Sequence, residues 1–80
     1  MTKKDLPALV VEALRSLGGT APLIDVSRLV WEKHESDLRV SGDLFYSWQY
    51  DLRWAVHELR VNGTMRPAKV SPTGIWELRS

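Results

Sequence analysis

The stretch LFYSWQYDLRWAVHELRVN, residues 44–62, decides how this chain is read. Its apolar residues Leu44, Phe45, Trp48, Leu52, Ala55, Val56 and Leu59 recur at helical spacing, so they fall in one broad arc and are expected to face a core. Tyr46, Gln49, Tyr50, Arg53, His57 and Arg60 occupy a second sector, and Ser47, Asp51 and Glu58 a third, acidic one. The outward surface of this helix is thus divided, with basic and aromatic groups gathered apart from acids. Ser41-Gly42-Asp43 breaks the chain ahead of it and caps its start, and Asn62-Gly63 stops it.

Two more helices are expected upstream. In the first, Leu6, Leu9, Val10, Ala13, Leu14 and Leu17 form one apolar stripe; Asp5 is placed to cap it, and Pro7 falls in the first turn, where its missing N–H is harmless. Gly18-Gly19 closes it. In the second, Thr20 reads as a cap, Pro22 suits the first turn and Asp25 favours the positive end of the helix dipole. Val26, Leu29, Val30 and Lys33 give its face, with Trp31 on the flank, and it runs to about His34 or a turn beyond. The polar piece from Glu35 to Gly42 is expected to be tacked to the core by Leu38 and Val40. Downstream, residues 65–70 and 75–78 read as two strands of a hairpin around Ser71-Pro72-Thr73-Gly74. Pro67 marks the first of these as an edge or irregular strand.

Eighty residues make one domain, and at this size buried apolar area must offset nearly all the ordering entropy. The 44% hydrophobic content, with four tryptophans, supplies a core, and the absence of cysteine removes disulfides, thiolate catalysis and cysteine-ligated zinc. No apolar run is long enough to span a bilayer, and Lys3 and Lys4 have no apolar region behind them, so neither a membrane span nor a signal peptide is expected. These readings imply a soluble, cytoplasmic protein. The net charge of +1 carries no argument for nucleic acid by itself, so any such argument rests on where the charges sit.

Three helices followed by a C-terminal hairpin, the longest helix last, is the element order of an α+β winged helix-turn-helix. In that arrangement the third helix enters the major groove of DNA and the hairpin wing reaches adjacent backbone. The motifs add to this. Arg53-Trp54-Ala55, Leu59, Asn62-Gly63, Ser71-Pro72 and Gly74-Ile75-Trp76-Glu77-Leu78 resemble the N-terminal winged-helix domain of Mrr-type restriction endonucleases, and Leu17-Gly18-Gly19-Thr20-Ala21 is similar to that family's opening. The resemblance covers nearly the whole chain, with residues 35–42 matching only loosely. It implies a DNA-binding module that precedes a separate catalytic domain in the nucleases. Where the family often carries basic residues, at the wing tip and near the start of the Arg-Trp-Ala segment, this chain has Thr73 and Asp51. A nuclease carboxylate followed two residues later by lysine does not occur here.

The residues expected to touch DNA are Tyr46, Gln49, Tyr50 and Arg53 on the third helix, and Arg66, Lys69, Ser71 and Thr73 on the wing. Arginine pairs bidentately with guanine and glutamine with adenine, while hydroxyls and lysines hold phosphates. Lys3 and Lys4 are expected to form a flexible basic arm over residues 1–4. Trp54 has three readings: packing against the wing, a dimer contact, or stacking on an unpaired base. With His57 it is the candidate for contact with a partner protein. Trp48 and Trp76 read as core, and Trp31 as core rim. His34 and His57 lie on different helices without further ligands, so no metal is expected, and there is no Gly-rich phosphate loop. The expected function is therefore a non-catalytic, cofactor-free protein binding double-stranded DNA. It would act in transcription regulation or as the recognition module of a restriction system, as a homodimer or beside a separate catalytic or regulatory protein. No membrane and no small-molecule substrate are expected. The alternative is a protein–protein interaction module, for dimerisation or as an adaptor, in which Tyr46, Tyr50 and Trp54 bury against a partner.

Overall fold

The computed structural model describes residues 1–79 and has three α-helices and a small antiparallel sheet, an α+β domain. A 3₁₀ turn, Lys3–Asp5, leads directly into α1 (Leu6–Ser16). Asp5 stands at the N-cap of α1 without capping it through its side chain. Its carboxylate instead accepts the Thr2 amide (2.8 Å), which closes the 3₁₀ turn. Leu6, Leu9, Val10, Ala13 and Leu14 are buried as their spacing requires, whereas Leu17 lies beyond the helix and is 38% exposed. The Gly19 amide then donates back to Leu14 O (2.7 Å), with Gly18 and Gly19 both at positive φ (91° and 94°), a conformation that L side chains resist.

Thr20 does not cap the second helix. Thr20–Pro22 is a strand, β1, and α2 (Leu23–Arg39) begins after it with Pro22 at the N-cap. The first free amide of α2, that of Leu23, donates to Gly74 O (3.0 Å), so a loop more than fifty residues away supplies the missing cap. The helix runs a full turn past His34, where it kinks: His34 has φ −127° and ψ 17°. The imidazole Nε2 donates to Glu12 Oε1 on α1 (2.9 Å), across the helix pair at the kink. Beyond the kink, Leu38 is fully buried and Arg39 bonds Glu35 (2.8 Å), while Val40 is 83% exposed and does not reach the core as expected. The helix has ended by then, and Ser41 turns the chain through its hydroxyl to Asp37 O.

The third helix, α3 (Leu44–Val61), follows the reading closely except at its start, where Asp43 stands at the N-cap in a helical backbone conformation and makes no side-chain capping hydrogen bond. Leu44, Trp48, Leu52, Ala55, Val56 and Leu59 are buried, and only Phe45, at the end of the arc, is half-buried. Gly63 (φ 86°) ends it, and the Asn62 side chain accepts the Thr64 amide (3.0 Å) to hold the turn.

The expected hairpin is where the structure departs most. The strand over residues 65–70 does not form. Met65 makes a single bridge to Leu78, flanked by Arg66 N to Glu77 O and Arg79 N to Thr64 O (both 2.9 Å), and then Pro67, with no amide to donate, turns the chain. Residues 67–74 are an irregular, turn-rich stretch: Val70 and Ser71 donate to Pro67 O, and Ile75 to Pro72 O. The strand Ile75–Glu77, β2, pairs instead with β1 in antiparallel register, Thr20 opposite Glu77, Ala21 opposite Trp76 and Pro22 opposite Ile75. The sheet closes one end of the core, where Ala21, Met65 and Trp76 are buried against the helices.

Candidate nucleic-acid interface

The outward side of α3 stands between two grooves, and Arg53 lines both. The first groove, of about 780 Å³, lies between α2 and α3. Ile24, Arg28 and Trp31 reach it from α2 and Phe45, Gln49 and Arg53 from α3. The second, of about 440 Å³, lies between α3 and the turns that follow it, with Arg53 and Arg60 on one wall and Thr73 and Gly74 on the other. The spacing along α3 accounts for this: residues 49, 53 and 60 recur every four and seven, so one face carries them past both grooves.

Charge is distributed unevenly over this surface. Three arginines, Arg28, Arg53 and Arg60, line the two grooves, and among the described residues no carboxylate lines either, although the chain carries ten acidic side chains. The acids of α3 point elsewhere, and Asp51 accepts the Ser47 hydroxyl (2.8 Å). Asp25 approaches Arg28 only at 3.9 Å, with both side chains largely exposed, so the pair is weak. Arg60 is held in place by donating from Nε to Arg66 O (3.2 Å), which ties the end of α3 to the chain just beyond it.

Of the residues expected to contact DNA, Gln49, Tyr50, Arg53 and Thr73 come together on this surface. Tyr46 is 85% exposed, yet it lies outside both grooves and packs edge-on against Phe45 at 5.0 Å. Lys69 is exposed on the turns. Arg66 is half-buried with its guanidinium 3.7 Å from Glu77, so its charge is partly spent within the domain. Ser71 must be withdrawn: the turn at Pro67 folds it inward, where its hydroxyl is buried without a hydrogen-bond partner. Lys3 and Lys4 form the 3₁₀ turn, not a loose arm, and the Lys3 ammonium sits 4.6 Å above the Trp54 ring. Trp54 accordingly packs against the N-terminal turn, half-buried on the core, and belongs to neither groove. His57 is exposed, and among the described residues no three His, Asp or Glu side chains cluster as a metal site would need.

The sequence reading missed the contribution of α2. Ile24, Arg28 and Trp31 stand at i, i+4 and i+7, which puts them on one face of that helix, off the Val26–Val30 stripe. An isoleucine displaced from the buried stripe of an amphipathic helix was the available signal, and it is 58% exposed here. Below it the groove floor is aromatic: Trp31 stacks on Trp48 (5.7 Å between centroids, 7° between planes) and leans toward Phe45 (6.4 Å). Arg39 lies over both Trp31 (5.2 Å) and Phe45 (5.9 Å).

Comparison with known proteins returns nothing: no family model, no curated protein and no solved structure matches this chain. None of its helices among the described residues is long and apolar enough to cross a membrane.

Proposed function

We propose that this chain is a winged-helix protein that binds double-stranded DNA without catalysing a reaction, as a small regulator or as the recognition module of a restriction-type system. The observation that carries the reading is the pair of grooves flanking Arg53, lined by three arginines and, among the described residues, no carboxylate, on a chain whose net charge is only +1. Polyanions are attracted to such a surface even when the net charge is near zero, because the local field decides encounter. An α-helix about 10–12 Å across fits a major groove about 12 Å wide, and the 18 residues of α3 extend about 27 Å along it. In this reading Gln49 and Arg53 meet base edges, while Arg28 on α2, and Lys69 and Thr73 on the turns ahead of β2, meet phosphates. The motif resemblance to Mrr-type endonucleases supports the same reading, as do three helices packed with a small two-stranded sheet.

The test is binding to a labelled random-sequence duplex across a salt series, for the wild type and for Arg53→Ala combined with Lys69→Ala. Binding at low salt with a Kd on the order of 10 μM, weakening steeply with salt and further in the double variant, is the expected result. Absence of binding at low salt sinks the reading, because the backbone contribution is strongest there.

A further inference from the structure

We propose that the α2–α3 groove docks an acidic, amphipathic helix of a partner protein, and that this helix and duplex DNA exclude one another. The groove has a chemistry that DNA backbone does not use. Its floor is made of Leu23, Ile24, Trp31, Phe45 and Trp48, and Ile24 is more than half exposed at its mouth. A phosphate leaves all of that unsatisfied.

Three occupants can be weighed against this shape. A nucleobase needs a free aromatic face to stack on. Here Trp31 is already stacked on Trp48 and has the Arg39 guanidinium over its ring, so the floor's faces are engaged, and a base stacked on Tyr50, the 73% exposed ring of the lining, would leave that apolar floor uncovered. A small molecule needs enclosure, because such ligands bury most of their surface. This groove is open to solvent. A helix laid along the trough needs only one side covered, with its apolar stripe on the floor and its flanks in reach of the walls. Those walls are cationic on both helices: Arg28 from α2, 66% exposed, and Arg53 from α3, with no carboxylate lining the groove among the described residues. Glutamates or aspartates on either side of an apolar stripe complement that arrangement. Gln49, Tyr50 and Arg53 belong both to this groove and to the proposed DNA face, so an occupied groove takes Arg53 away from DNA. The exclusion rests on the DNA reading; the docking itself does not.

The probe is a labelled synthetic peptide of about 15 residues with leucine and phenylalanine at i, i+3, i+4 and i+7 and glutamate elsewhere, measured by fluorescence anisotropy with the full chain. The control is the same composition permuted to break the stripe. The striped peptide should bind at least about tenfold more tightly than the control, and Ile24→Ser and Arg28→Glu should each weaken it about tenfold. Circular dichroism checks that both variants are folded, which the exposure of these two side chains favours. Lys69→Ala should weaken the duplex and leave the peptide unchanged, and the peptide should displace labelled duplex from the wild type. Equal binding of the two peptides, no binding at all, or indifference to Ile24→Ser overturns the proposal. So does a dimer of the free chain that Ile24→Ser dissociates, which would give the groove to a second copy. A chain that binds the striped peptide but no duplex keeps the docking site and refutes the DNA reading alone.

Discussion

Leu38 and Val40 sit two residues apart, and the structure assigns them opposite roles. Leu38 is fully buried after the kink at His34, whereas Val40 is 83% exposed. Truncating Leu38 to alanine removes transferred apolar surface and leaves a cavity, which for buried leucines costs about 2–5 kcal/mol. A domain of this size has in total about 4–12 kcal/mol of stability. A loss near 3 kcal/mol therefore takes a large share of it, and at about 4–8 °C per kcal/mol it lowers Tm by roughly 12–24 °C. Val40→Ala removes surface that is already wet, so its effect stays within about 0.5 kcal/mol. Thermal melts and urea titrations of both variants, followed by far-UV circular dichroism, measure the difference, and an unchanged urea slope in Leu38→Ala shows that the folded state is still the same size. The reasoning fails if the two variants melt within a few degrees of each other, since the turn after the kink would then not be anchored in the core. The result also bears on the groove. Leu38 anchors the turn that carries Arg39 over Trp31 and Phe45, so the groove floor should loosen with it.

Three further outcomes are expected. Lys3→Ala removes the ammonium above Trp54 and should lower stability by about 0.5–1 kcal/mol while leaving the salt slope of duplex binding unchanged, because that charge is engaged away from both grooves; a slope reduced by about one unit would return Lys3 to the DNA face. Ser71→Ala deletes a buried hydroxyl that has no partner, so the variant should melt at or above the wild-type temperature; a loss above about 1 kcal/mol would mean that the hydroxyl is bonded in solution. Gly63→Ala forces a side chain into φ 86°, and although its Cβ would meet only Arg79 at 3.7 Å, the backbone cost of about 1–2 kcal/mol should appear as a lowered Tm.

The helices were legible because each carries enough apolar residues for its period to speak. α3 alone presents six buried side chains at helical spacing, and its outward sector places Gln49, Tyr50 and Arg53 where the grooves lie. Of the sheet, the strand Ile75–Glu77 was legible within the expected 75–78, but its partner was not, since Thr20-Ala21-Pro22 carries the same residue types that start a helix, and only pairing with Ile75–Glu77 makes it a strand. No local signal reports a partner that far along the chain. The last turns of α2 were obscured by their polarity, which here reflects a solvent-facing helix stitched by Glu35 and Arg39 around a single anchor, Leu38. Ser71 misled for a related reason: serine next to proline reads as an exposed turn, and the fold of residues 67–71 buries it. The cationic grooves were half visible. Their α3 wall follows from one helix wheel, but the facing wall depends on how α2 is set against it.

The position of β2 has a consequence for the order of events during synthesis. It is the last element along the chain, yet it lies between β1 on one side and the Met65 bridge on the other. All three helices are synthesised before it. At about 5–20 residues per second, roughly fifty residues separate β1 from its partner by some 3–10 s. For that interval the nascent chain carries an unpaired β edge, the kind of feature that invites pairing with a neighbouring polypeptide. Pro22 has no amide to offer such a neighbour, and the strand is only three residues long. The proline that disguises this strand as a helix start is thus also what keeps the unfinished molecule from recruiting another.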